Sequence, residues 1–142
     1  RFREVAERGM DMTLESYDAS IRHRDRLGSA LGQFHQRYDL LVTPTMPTTA
    51  PAVETPYHSQ GFHRWNHAVP FTVPFNLTGQ PGASIPCGTS RAGLPIGLQI
   101  VAAKYREDLI LRASRAFEQH QAQTWPNPVV EAALKTGVSA TA

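Results

Sequence analysis

The sequence predicts an α/β fold, and three observations carry that prediction. A long stretch has its apolar residues at helical spacing. A short apolar run bounded by a proline follows it, and a late pair of strand-like segments leads into a second helical stretch. The order helix, buried strand, paired strands, helix is that of a sheet with helices laid against it.

Taken in order, residues 2–8 read as a short helical turn that Gly9 ends as a C-terminal cap, because glycine enters the left-handed region without a Cβ penalty. Across residues 11–38 the apolar positions are Leu14, Tyr17, Ile21, Leu27, Leu31, Phe34 and Tyr38. Gaps of mostly three or four line one helix face. Asp11 or Thr13 can cap the start by accepting a free backbone N–H, and Arg22, His23, Arg24 and Arg26 fall on a wetter face. Gly28 and Gly32 weaken the helix slightly.

Leu40, Leu41 and Val42, between Asp39 and Pro44, are too few for a helix and read as a strand buried on both faces. Pro44, Pro47, Pro51 and Pro56 then remove donors and fix φ at close intervals, so an extended loop is expected. The next segment is polar and holds His58, Phe62, His63, Trp65 and His67. From Val69 to Leu77 the chain becomes apolar, with Pro70 and Pro74, and its pattern selects neither helix nor strand. After Gly79, Gln80, Pro81 and Gly82, residues 83–87 and 96–103 read as two strands joined by a tight connection at residues 90–93. In the second, Ile96, Leu98 and Ile100 alternate with Gly97, Gln99 and Val101.

Residues 108–120 return to helical spacing through Leu109, Leu111, Ala113, Ala116 and Phe117. Glu107 and Asp108 place negative charge on the first turn, where N–H groups are unpaired. Pro126 and Pro128 stop the helix, and the tail at residues 121–142 is expected to be partly disordered. The whole chain, residues 1–142, reads as one segment.

Composition narrows the function classes. With 142 residues, 41% hydrophobic and 18% charged, the chain is long enough for one core. Its apolar runs fall far short of the roughly 20 residues that span a bilayer, so no membrane segment is expected. The net charge of +2 comes from scattered arginines without interleaved aromatics, which gives no support to a nucleic-acid partner. The single cysteine, Cys87, excludes an internal disulfide and fits a reducing compartment, hence a cytoplasmic expectation. The opening at Arg1, without a methionine or a signal series, reads as that of a fragment.

Candidate chemistry is sparse. His58, His63 and His67 resemble a metal set, but only the last two have helical ligand spacing and no Asp, Glu or Cys lies between them, so no metal is expected. Cys87 follows Pro86 in an apolar strand, where burial disfavours the thiolate a nucleophile needs. Ser84 lacks the second glycine of a nucleophile elbow, since Pro86 stands there, and reads as structural. Lys104, at a strand end, reads as a solvated cation. The glycines at 79, 82, 88, 93 and 97 form no phosphate loop and read as turn glycines.

Three motifs resemble those of the amidase signature family. Asp39-Leu40-Leu41-Val42-Thr43-Pro44-Thr45-Met46-Pro47 is similar to its strand-and-loop. Phe71-Thr72-Val73-Pro74-Phe75-Asn76-Leu77-Thr78-Gly79-Gln80-Pro81 and Gly93-Leu94-Pro95-Ile96-Gly97-Leu98-Gln99 are similar to the two segments that follow. The resemblance implies the C-terminal part of an α/β/α fold, with strands of a mixed sheet flanked by helices. It also implies amide hydrolysis by a serine, a second serine in cis conformation and a lysine. That triad would lie upstream in a Gly/Ser-rich stretch without counterpart here, so no catalytic residue is expected in this chain.

Val69, Phe71, Thr72 and Asn76 are the expected wall of a substrate pocket. The expected partners are the missing N-terminal portion of the same protein and a small-molecule amide; no cofactor is implied. Family glutaminases that feed tRNA amidation tend to carry an acid just ahead of Phe71, where this chain has Val69 and Pro70, so the resemblance favours a general amidase. The alternative is a binding or assembly module that keeps the scaffold without catalysis. An uncovered parallel sheet would tend to self-associate, which leaves a homo-oligomer open.

Overall fold

The computed structural model describes residues 2–52, 68–121 and 132. His58, His63 and His67 lie outside them, as does the tail past Gln121 apart from Ala132.

Helix α1 spans Phe2–Met10 and α2 spans Leu14–His35. Thr13, extended at φ −75 and ψ 153, caps α2 by accepting the Ser16 N–H on its hydroxyl at 3.2 Å. Gly9 lies inside α1 and is not its cap; the chain turns beyond it, where the Met12 N–H reaches the Gly9 carbonyl at 3.3 Å. Asp11 and Tyr38 fall outside α2, whose end winds down as the N–H groups of Arg37 and Tyr38 both return to the Phe34 carbonyl.

Strands β1 (Leu40–Pro44), β2 (Gly82–Thr89) and β3 (Pro95–Ala102) form one sheet in the order β1-β3-β2. Both pairings are antiparallel, not parallel: β2 and β3 are the arms of the expected hairpin, and β1 returns along the far side of β3 with Leu40 opposite Ala102 and Pro44 opposite Leu98. β1 is therefore an edge among the described strands, and Val42 is 52% exposed where burial on both faces was expected. An edge also tolerates Pro44 as the closing residue.

The register sorts side chains onto two faces. Leu40, Ala83, Ile85, Leu98, Ile100 and Ala102 pack on α4 (Glu107–His120) through Leu109, Ile110, Ala113 and Phe117, and this is the apolar core. The other face carries Thr43, Gln99 and Ser84, opposite one another across the three strands. Strict alternation in β3 would make one face dry and the other wet. Instead Gln99 and Val101 are buried with Ile100 and Ala102, because the central strand is flanked on both sides and covered on both faces.

The β2–β3 turn closes through Ser90, whose N–H donates to the Leu94 carbonyl at 2.8 Å while its hydroxyl accepts the Leu94 N–H at 3.2 Å. A register shift between Pro86 and Gly88 makes Cys87 the extra residue of a bulge, half-buried rather than buried. The undecided apolar stretch forms α3 (Val73–Thr78). Pro74 sits in its first turn, where a missing donor costs nothing, and Gly79 at φ 74 ends it by donating to the Phe75 carbonyl at 2.8 Å.

α2 has no buried residue, and Leu14 and Tyr17 are 81% and 54% exposed. It touches the rest where Gly28 faces Thr78 of α3, with room for a methyl group between them. Among the described residues no helix is long and apolar enough to cross a membrane.

Candidate functional site

Three of the four expected pocket residues come together and one does not. Val69, Phe71 and Thr72 form a turn entering α3, closed by the Thr72 N–H and hydroxyl, which both donate to the Val69 carbonyl at 3.3 Å. All three are half-buried. Asn76 is exposed on α3 and lines a separate groove with Arg24, Asp25, Ser29 and Lys104. Lys104 itself is exposed, as expected of a cation at a strand end.

The turn is held to the sheet by a residue that sequence reasoning did not single out. Gln99 Nε2 donates to the Phe71 carbonyl at 2.7 Å and to Thr43 Oγ1 at 2.9 Å, with the residue 6% exposed. Thr43 gives its own proton to the Pro44 carbonyl at 3.0 Å, which leaves its oxygen free to accept. Both N–H groups of one amide are thus used, and the amide orientation follows from the acceptors. Alternation puts Gln99 on a wet face, so periodicity holds no signal for its burial.

Further along the same face, Thr45 Oγ1 and Ser84 Oγ lie 2.6 Å apart. They border an open concavity of about 500 Å³ at the end of the sheet, with Met46, Pro47, Ile96 and Gly97 among its walls. Ser84, read as structural, is an exposed hydroxyl paired with Thr45. Val69, Phe71, Thr72 and Asn76 do not line this concavity.

Charge lies elsewhere. Arg106 and Asp108, at the start of α4, form a two-point pair at 2.8 and 3.1 Å. That hydrogen bond holds the Asp108 carboxyl below the usual carboxylate range. Among the described residues no group of three or more His, Cys, Asp or Glu side chains could hold a metal ion. The arrangement offers backbone anchoring, a hydroxyl pair and apolar walls, a means to bind and orient an uncharged group.

Comparison with known proteins gives one consistent result. The family model described as Amidase matches residues 3–111. A glutamyl-tRNA(Gln) amidotransferase subunit from Geotalea daltonii is 44% identical over 85 residues, covering 60% of this chain and 17% of that protein. The chain spans about a fifth of the length of the curated relatives it matches. Among solved structures, 6-aminohexanoate cyclic dimer hydrolase complexed with substrate aligns with a TM-score of 0.72 and 30% identity, over 84% of this chain and 27% of that one. The corresponding glutamyl-tRNA(Gln) amidotransferase subunit from Thermotoga maritima has a TM-score of 0.67 and 26% identity, over 84% and 26%.

Proposed function

The chain belongs to the amidase family, and from that premise we propose that it forms the C-terminal part of a hydrolase cleaving carbon–nitrogen amide bonds. The family match over residues 3–111 carries this reading. The nucleophilic serine, the cis-serine and the lysine are supplied by a preceding portion of the same polypeptide, which also covers the exposed apolar positions of α2. In such a reaction the serine takes the acyl group and releases the amine, and water then frees the acid.

The part played by this chain is positional. Val69, Phe71 and Thr72 form the pocket wall, and Gln99 fixes the wall by its backbone. Asn76 is left out of this wall, since it lines a separate groove with Arg24 and Lys104. A cytoplasmic location belongs to the same proposal, since Cys87 needs no oxidising compartment.

The substrate is a neutral amide, because Val69 and Pro70 bring no carboxylate to the turn where a substrate ammonium would need one. A second reading, a glutaminase serving tRNA amidation, has one observation in its favour: relatives named as subunits of glutamyl-tRNA(Gln) amidotransferase, at 35% to 44% identity. Hydrolysis assays on the full-length polypeptide with hexanamide and glutamine separate the two. Preferential release of ammonia from hexanamide supports the general amidase, preference for glutamine supports the second reading, and no release from either points to a non-catalytic module. With Phe71→Ala or Thr72→Ala the preference among acyl chains should shift; an unchanged preference removes these residues from the pocket.

A further inference from the structure

Thr45 follows β1 and Ser84 lies on β2, on opposite sides of the central strand β3, yet their hydroxyls meet at 2.6 Å. They meet over Gly97. A Cβ at that position would stand 2.8 Å from Thr45 Oγ1 and 2.9 Å from Ser84 Oγ, closer than real Cβ atoms come to any neighbour. Glycine is therefore what lets two side chains from non-adjacent strands touch. The backbone holds them in place, since the Thr45 N–H donates to the Gly97 carbonyl at 2.9 Å and Ser84 is paired opposite Gln99.

We propose that the concavity above this pair is a binding subsite for a neutral, carbonyl-bearing ligand with an apolar body. A pair of hydroxyls has two O–H donors, one of which is consumed within the pair. The other is left to donate outward, because among the described residues neither oxygen has another partner. Every described lining residue is uncharged, and Met46, Pro47, Ile85, Pro86 and Ile96 make the wall largely apolar. A carboxylate entering this recess would lose hydration with no cation among the described residues to replace it, whereas a neutral carbonyl accepts the free O–H while its chain lies along the apolar wall. The amide-hydrolase reading supplies the natural ligand, an uncharged amide, and only in that respect does the subsite rest on it.

The test uses 2-heptanone, which has the acceptor and the apolar chain but no scissile carbon–nitrogen bond. It is titrated onto the full-length protein, followed by the methyl signals of Met46 and Ile96. The expected result is saturable shifts, with hexanoate binding at least about tenfold more weakly. Ser84→Ala combined with Thr45→Val, which removes both O–H donors, should weaken 2-heptanone by about three- to tenfold, the range of one lost hydrogen bond. Gly97→Ala should close the floor and abolish binding, and the double variant serves where that one does not fold. No saturable shift in the unmodified protein, equal affinity in the Ser84→Ala, Thr45→Val double variant, or tighter binding of hexanoate would overturn the proposal. Loss of amide hydrolysis alongside intact 2-heptanone binding would instead count against the functional reading and leave the subsite standing.

Discussion

Gln99 reaches across from the central strand to hold the carbonyl of Phe71 at 2.7 Å, joining two stretches of chain separated by 28 positions through a single buried amide. The bond fixes a backbone atom and not a side chain. It sets where the Phe71 turn stands on the sheet whatever side chain occupies position 71.

Replacing Gln99 by Met keeps the volume and removes both donors. The Phe71 carbonyl is then left without its partner, and the cost should be about 1–3 kcal/mol. Urea denaturation of the two proteins measures it. Gln99→Glu should cost more, because a buried carboxylate would face the Phe71 carbonyl with no proton to offer. A difference within experimental error for both variants would mean that the turn is anchored by something else.

Ser114, on α4, has a buried hydroxyl oxygen without a hydrogen-bond partner among the described residues. Its loss removes an unsatisfied polar group and gains helix propensity, since alanine is favoured over serine in a helix interior by a few tenths of a kcal/mol, on the order of 0.5. Ser114→Ala should therefore raise the thermal midpoint slightly or leave it unchanged. A fall would show that the oxygen is satisfied in solution, by a bound water for instance.

How legible all this was in the sequence depended on whether neighbours or distant partners decided the outcome. The helix at residues 14–35, the hairpin and α4 follow from local spacing and turn residues, and each lies within a few positions of its expected bounds. Thr13 is legible as a cap because capping is a contact across three residues. The position of β1 in the sheet was not legible. Three apolar residues in a row look the same in a buried parallel strand and at an antiparallel edge, and only pairing with β3 decides between them.

The candidate site divides along the same line. Val69, Phe71 and Thr72 form one turn because they are close in sequence, and Asn76 departs from them because α3 carries it towards α2. Gln99 with Phe71, and Thr45 with Ser84, are contacts across 28 and 39 positions, made by register. A sequence pattern read on its own carries no register, so a buried Gln99 and a hydroxyl pair over Gly97 could not be seen in it.

The Arg106–Asp108 pair gives a prediction in pH. The Arg106 hydrogen bond is the largest influence holding the Asp108 carboxyl below its ordinary value of 3.8, with smaller contributions from the Arg106 charge, the Leu109 N–H and Arg112, while desolvation opposes them. A carboxyl that is more acidic when folded than unfolded binds fewer protons in the folded state. Its contribution to stability is therefore present above the unfolded value and is lost as pH falls through the folded one. Both side chains are about half exposed, at 49% and 53%, so solvent and salt screen the pair and its share of stability is small. The direct readout is an NMR titration of the Asp108 carboxyl carbon, whose midpoint should lie below 3.8 in the unmodified protein and rise towards it in Arg106→Ala. The same midpoint in both proteins would mean that the two-point contact does not persist in solution.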